Sequence, residues 1–285
     1  MLIYAKHYGQ MCNNLWSILP SIAFAIEKKV KLYVLFARKD YIICFPQITK
    51  CPYVKFLFTT NNHPKWVWRV SHFSRKNHLE LEGELRMVSN VPLLSFINGW
   101  EHSGDLSFIF EHRDELLELF QPSEFIRCRV LLVLNNYCGI TIGVHVRRGD
   151  YKNYLEGKYY YDDGVYLNIM IDIKKQIESK GIQCRFLICS NELQTWNHYN
   201  IDIIRISNSD SITDLYALSK CDYIIGPPSS FSQWASFIGH VPLACILNID
   251  SVPLIEEFSS IIYFNVFENG RTLEFQEDKQ KYVII

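Results

Sequence analysis

The chain has no run of apolar residues as long as the roughly 18 to 20 that a helical membrane span needs. It also lacks the pattern of a secretory leader. Met1-Leu2-Ile3-Tyr4-Ala5-Lys6-His7 turns polar where an apolar leader core would continue. Charge of one sign is missing too. Lys and Arg number 29 against 30 Asp and Glu, a formal net charge of -1. That balance excludes a broad electrostatic grip on nucleic acid or on an anionic membrane, so any anion must be held locally. Paired cysteine is absent as well. The nine cysteines are odd in number, none forms a CxxC, and no His/Cys group has zinc-site spacing. Several sit inside apolar runs, such as Phe186-Leu187-Ile188-Cys189. Buried free thiols in a reducing compartment are expected, and with them a cytoplasmic protein without a transmembrane segment. No P-loop lysine motif, internal repeat or low-complexity segment occurs.

What is present is a globular composition. Of 285 residues, 48% are hydrophobic and 21% charged, enough for two ordinary domains. Leu2 to Ala5 reads as a strand, residues 12 to 28 as an amphipathic helix with Pro20 inside it, and Val30 to Phe36 as a second strand. Residues 40 to 106 resist assignment; they are rich in aromatics, among them Trp66, Trp68 and Trp100. Helices are expected from about Glu111 to Phe120 and from about Pro122 to Leu134. A second series starts near Gly139. Strands are expected at 140–146, 185–189, 203–206, 223–225 and 242–246, with helices at 165–180, 211–220 and 231–238 between them. Such alternation predicts parallel sheets covered by helices. The domains are placed at 1–137 and 138–285. The segment after about Pro253 has the option of packing back on the first domain.

Three strand-to-helix turns carry candidate chemistry. The first is His145-Val146-Arg147-Arg148-Gly149-Asp150-Tyr151. Side chains alternate along a strand, so Val144 and Val146 point one way and His145 and Arg147 the other. The arginines lie at the strand's carboxyl end, where open α/β sheets bind ligands, and a guanidinium there can hold a phosphate through two parallel hydrogen bonds. A structural Arg–Asp pair closing the turn is the other reading. The second turn is Gly226-Pro227-Pro228-Ser229-Ser230-Phe231-Ser232-Gln233-Trp234-Ala235. A helix N-terminus with free N–H groups and serine hydroxyls suits an anion, although one serine would suffice as a plain cap. The third, Tyr4 to Leu15, starts its helix with Asn13 and Asn14, where an Asn cap explains the residues equally well.

Together these segments resemble the α-1,2-fucosyltransferases, a glycosyltransferase family 11-like group within a wider fucosyltransferase superfamily. Its His-x-Arg-Arg-x-Asp-Tyr motif is matched in full by His145 to Tyr151. Its Cys-Asp and Ser-Ser-Phe-Ser-x-Trp-Ala segments are matched by Cys221-Asp222 and by Ser229 to Ala235. Gly9, Asn13 and Trp16 fit its first turn, whereas Cys12 and Asn14 depart from it, and the Gly-Pro-Pro before the serines departs from the commoner Asn. The resemblance implies a GT-B-like fold, two Rossmann-like domains facing a central cleft, with an acceptor-side first domain and a donor-binding second. It implies an inverting transfer of a sugar, L-fucose from GDP-fucose, onto a glycan hydroxyl, with no metal and no cofactor required. In that scheme Arg147 grips the β-phosphate with Arg148 beside it. His145 and Asp222 lie near the base. Ser229, Ser230 and the backbone of Phe231 hold the diphosphate, and Asn13 lines the cleft. Asp150, the nearest carboxylate, is a candidate base. No Asp-x-Asp flanked by apolar strand residues offers a metal site, so fixed cations and N–H donors are left to stabilise the leaving diphosphate. The rivals are the same fold with another donor such as UDP-xylose, and a non-catalytic nucleotide- or glycan-binding protein in which the tryptophans stack on sugar rings.

Overall fold

The structure, a computed structural model, describes residues 1–4, 9–59, 95–97, 106–194, 196, 200–250 and 252–285. Trp66, Trp68 and Trp100 lie outside the described residues, as does the Ala5–Tyr8 part of the first turn. The chain divides into two compact units, Met1–Ser123 and Glu124–Ile285.

The first unit holds a parallel sheet of strands β1 (Leu2–Tyr4), β2 (Leu32–Leu35), β3 (Val54–Leu57) and β4 (Ser95–Ile97), in the order β3-β2-β1-β4. Helix α1 (Met11–Glu27) follows β1, the expected strand–turn–helix opening. Nearly every residue of α1 from Cys12 to Ile26 is buried, and Pro20 is accommodated inside it. A short helix α2 (Lys39–Cys44) and a 3-10 turn (Pro46–Lys50) fill part of the unassigned stretch. A short helix α3 (Ser107–Glu111) precedes the helix expected at 111–120, which is present as α4 (Arg113–Leu119), with His112 between the two. His112 Nε2 lies 3.1 Å from the Glu27 carboxylate at the end of α1.

The second unit follows the expected alternation closely. Helix α5 (Glu124–Leu134) leads to β5 (Ile140–Val146), then α6 (Asp163–Glu178), β6 (Cys184–Ser190), β7 (Ile203–Ile204), α7 (Ser211–Leu218), β8 (Tyr223–Gly226), α8 (Ser230–Gly239) and β9 (Leu243–Cys245). Pro122 precedes α5 instead of opening it. Side-chain caps start the other helices: Asp162 accepts from Val165 N at 3.0 Å and Asp210 from Thr213 N at 2.9 Å. The five strands are all parallel, in the order β7-β6-β5-β8-β9. The chain thus starts in the middle of this sheet, builds outward through β6 and β7, then returns to the other side of β5. That reversal creates a topological switch point between β5 and β8, where the two flanking connections leave in opposite directions.

Period-two alternation along β5 holds. Ile142, Val144 and Val146 join one core with Tyr166, Met170 and Ile173 of α6. Gly143 and His145 face the other side, where a Cβ on Gly143 would come within 2.6 Å of Leu218. Residues after Pro253 form two antiparallel hairpins, β10 (Ile261–Tyr263) with β11 (Val266–Phe267) and β12 (Leu273–Gln276) with β13 (Lys281–Ile284). They belong to the second unit, not to the first. The buried Gln233 of α8 donates to Asn265 Oδ1 at 2.9 Å and accepts from Asn265 N at 2.7 Å, which ties the segment down.

Candidate functional site

The switch point brings two of the three turns together. Three contacts do it. Gly226, the last residue of β8, lies so close to β5 that an added Cβ would sit 2.8 Å from the His145 carbonyl oxygen. The His145 ring lies 4.9 Å from the ring of Phe231 at the start of α8. The Tyr151 hydroxyl donates to the Pro228 carbonyl at 2.5 Å. Arg147 and the N-terminus of α8 therefore share one end of the sheet, the carboxyl end of β5 and β8.

Arg147 is mostly buried, yet its guanidinium reaches the surface of the unit. It pairs with Asp150 at 2.8 Å and lies over the Tyr151 ring at 5.1 Å. The Arg–Asp pair considered from sequence is thus present. Arg148 points the other way, as strand alternation carried on past Val146 requires. It is buried, bonds the Tyr161 carbonyl and the Asp163 carboxylate, and lies over Tyr160 at 5.1 Å. Its donors are engaged inside the unit, so it does not join Arg147.

His145 is buried, and its Nδ1 has no hydrogen-bond partner among the described residues. Burial pushes its pKa down to about 3, with the positive Arg147 adding to the effect. The imidazole is neutral at ordinary pH. A buried polar nitrogen without a partner costs stability, a cost that a bound hydrogen-bonding group would relieve.

Ser229 is the N-cap of α8: its Oγ accepts from Phe231 N at 3.2 Å. The Phe231 N–H, expected to face the diphosphate, is turned to this cap. The Ser229 hydroxyl remains a donor, because a hydroxyl both accepts and donates. Ser230, at the first helical position, is half-buried. The helix runs for ten residues, so its dipole and first-turn N–H groups make an anion-favouring end.

Asp222 is not brought to this end. Its carboxylate accepts from Thr141 N at 2.7 Å, and its own N–H donates to the Thr141 carbonyl at 2.9 Å. Thr141 lies at the opposite end of β5, four residues and about 13 Å from His145. Asp222 locks the start of β5 to the start of β8 and does not join His145. Asn13 belongs to the first unit, in the first turn of α1 and half-buried. Gly9, at φ +56, leaves room for its carboxamide, since a Cβ there would lie 2.6 Å from Asn13 Nδ2. Its neighbour Asn14 is buried and holds the helix start through Gln10 O at 2.8 Å.

One carboxylate escaped the sequence reading. Asp214, in the first turn of α7, is packed against β6: its carbonyl accepts from Cys189 Sγ at 3.7 Å, and Cys189 pairs in register with His145. Burial raises the Asp214 pKa to about 6, opposed by a hydrogen bond from Ser209. Its signal in the sequence is an acidic residue inside the apolar helical run Ile212-Thr213-Asp214-Leu215-Tyr216. Among the described residues no group of three or more His, Cys, Asp or Glu could hold a metal ion. No helix among them is long and apolar enough to cross a membrane.

Comparison with known proteins agrees with this geometry. The family model "Glycosyl transferase family 11" matches residues 30–249, most of the chain. An α-1,2-colitosyltransferase of Escherichia coli is 25% identical over 168 residues, which cover 53% of this chain and 53% of that protein. The match thus spans about half the length of the curated relative. Among solved structures, NodZ α-1,6-fucosyltransferase soaked with GDP-fucose gives a TM-score of 0.51 at 14% identity, covering 100% of this chain and 98% of that one; NodZ is a Bradyrhizobium protein. A FUT1 mutant of Arabidopsis thaliana in complex with GDP gives 0.55 at 14% identity, covering 98% and 77%. At such identities these structures share the α/β fold with this chain, and the fold alone.

Proposed function

This chain belongs to glycosyl transferase family 11, and from that premise we propose that it transfers a sugar, with inversion and without a metal, from a GDP-linked donor to a glycan hydroxyl. The observation that carries the reading is the junction at the β5–β8 switch point. There Arg147 and the α8 N-terminus stand together, joined by Tyr151 and Pro228. A diphosphate leaving group gathers negative charge as its C–O bond to the sugar breaks. A guanidinium and a helix N-terminus, fixed before the reaction, stabilise that charge without rearranging. Arg147 takes the β-phosphate, and the Ser229 and Ser230 hydroxyls add donors. Asp150, held by Arg147, orients the guanidinium; its pairing favours this role over that of acceptor base. Asn13 is assigned to the acceptor side.

Guanine is the base assigned here by resemblance, and Asp214, on α7 beside the Cys189 that pairs with His145, is the carboxylate to test as its acceptor. A guanine edge offers two adjacent N–H groups, which a carboxylate accepts together, whereas uracil offers one. L-Fucose is the sugar assigned here by resemblance; the relative named for colitose makes that the second sugar to test. Incubating the protein with GDP-fucose, GDP-colitose or UDP-xylose, in the presence of EDTA and candidate glycans, measures release of the nucleoside diphosphate and formation of product. The proposal expects turnover with a GDP-sugar in EDTA and an inverted anomeric centre in the product. Turnover confined to UDP-xylose, or a strict metal requirement, overturns the donor and metal assignments. Nucleotide binding with no transfer and no hydrolysis favours the non-catalytic alternative.

A further inference from the structure

The loop after the Arg147–Tyr151 turn is strained. Leu155 and Glu156 are adjacent non-glycine residues in the left-handed region, at φ +47 and +56. Residues of this kind persist only where surrounding contacts over-determine them, and they cluster at functional sites. The contacts come from the β12–β13 hairpin. Lys158 Nζ donates to the carbonyls of Lys279 at 3.1 Å and Gln280 at 2.9 Å. The backbone N–H of Tyr282 donates to the Tyr159 hydroxyl at 2.6 Å. The Tyr154 and Tyr282 hydroxyls are hydrogen-bonded at 3.0 Å. Phe275 backs Tyr282 from the partner strand, ring to ring at 5.1 Å.

From Tyr154 the contacts continue into the site. Its ring lies 5.2 Å from that of Tyr151. Tyr151 carries the Arg147 guanidinium over its ring at 5.1 Å and fixes its own hydroxyl on Pro228. An unbroken line of side chains thus runs from the hairpin to the guanidinium: Tyr282, Tyr154, Tyr151, Arg147. The hairpin lies outside the stretch that the family model matches, residues 30–249.

The geometry points to the β12–β13 hairpin as a brace that sets the Arg147 guanidinium for the donor diphosphate, with Tyr282 its positioning residue. The inference rests on the reading of Arg147 as the phosphate clamp. Without Tyr282, the Leu155–Glu156 backbone relaxes out of the left-handed region. Tyr154 then withdraws its support from Tyr151, and the platform under Arg147 shifts.

Three variants of the full chain test it: Tyr282→Ala, Tyr282→Phe and Lys158→Ala. Lys158 is exposed, so its loss does not threaten folding. Amide hydrogen exchange over residues 147–157 is measured without ligand, and GDP affinity by calorimetry. Tyr282→Ala and Lys158→Ala are expected to speed exchange in that segment while β6 stays protected, and to weaken GDP binding by about tenfold. Tyr282→Phe keeps the ring but loses the hydroxyl that meets Tyr154, and is expected to weaken GDP binding in the same direction, by less than Tyr282→Ala. A hairpin that only stabilises the unit would lower the melting temperature while leaving exchange at 147–157 and GDP affinity as in the parent; that result overturns the brace. Faster exchange with unchanged GDP affinity overturns it as well. If the parent protein binds no nucleoside diphosphate, the clamp reading fails on its own, and unchanged exchange over 147–157 then removes the brace too.

Discussion

Two adjacent arginines do different work. Arg147 stands at the carboxyl end of the sheet, whereas Arg148 is sealed among Tyr160, Tyr161 and Asp163. Arg148→Met is therefore expected to lower stability by roughly 2 kcal/mol, the loss of charge-assisted bonds in a buried setting, while the folded protein keeps its GDP affinity. Chemical denaturation beside calorimetry checks both halves. Asp214 offers a test by pH. Its carboxyl is raised to about 6 in the folded chain, against about 3.9 when unfolded. Between those values the folded state holds a proton that the unfolded state has released, so this group's contribution to stability falls as pH rises from about 4 to 6. Asp214→Asn removes the penalty. The variant's melting temperature is expected to exceed the parent's by more at pH 7 than at pH 4, with weaker binding of GDP. Equal gaps at both pH values contradict the assignment. The sequence reading set Arg148 beside Arg147 on the phosphates; alternation carried one residue past Val146 would have assigned them to opposite faces. The fate of Asp222 was not legible in the sequence. A carboxylate beside a matched motif resembles a ligand, and only the register of β5 against β8 shows it bonding Thr141 N at the far end.

At the scale of elements, the βα series from β5 to β9 could be read almost residue by residue. Its strands are continuous apolar runs, and its helices open on Asp162, Asp210 and Ser229, side chains that cap them. The stretch from residue 40 onward was opaque for a physical reason. Its described strands β3 and β4 have only four and three residues, and α2 only six, too few to show a period. Elsewhere the short helix α3 was not foreseen, α4 starts two residues later than expected, and Pro122 was taken as the first residue of α5. A close joint between elements at the proposed site is Gly226 against β5. Gly226→Ala puts a methyl carbon 2.8 Å from the His145 carbonyl oxygen, and backbone on both sides leaves little room to yield. The expected outcome is a loss of about 1–3 kcal/mol, with weaker nucleotide binding as β8 and Pro228 shift away from Tyr151. Thermal unfolding and calorimetry of this variant read the two effects separately.

For the whole molecule, two units with parallel sheets divide the chain, and the nucleotide chemistry is assigned to the second. Neither composition nor net charge indicates an anion site; a charge balance of -1 is compatible with the local one proposed here, a single guanidinium and one helix end. The family match, the fold and the geometry of the β5–β8 junction support the proposal of a nucleoside diphosphate held there. The central claim is that Arg147 and the α8 N-terminus grip that diphosphate. Isothermal titration of GDP and of UDP, in EDTA, into the parent protein and into Arg147→Ala tests it most directly. The account predicts that the parent binds GDP in preference to UDP, and that Arg147→Ala loses about a hundredfold in GDP affinity, the worth of two charge-assisted hydrogen bonds. Parent-like GDP affinity in a folded Arg147→Ala protein would contradict it.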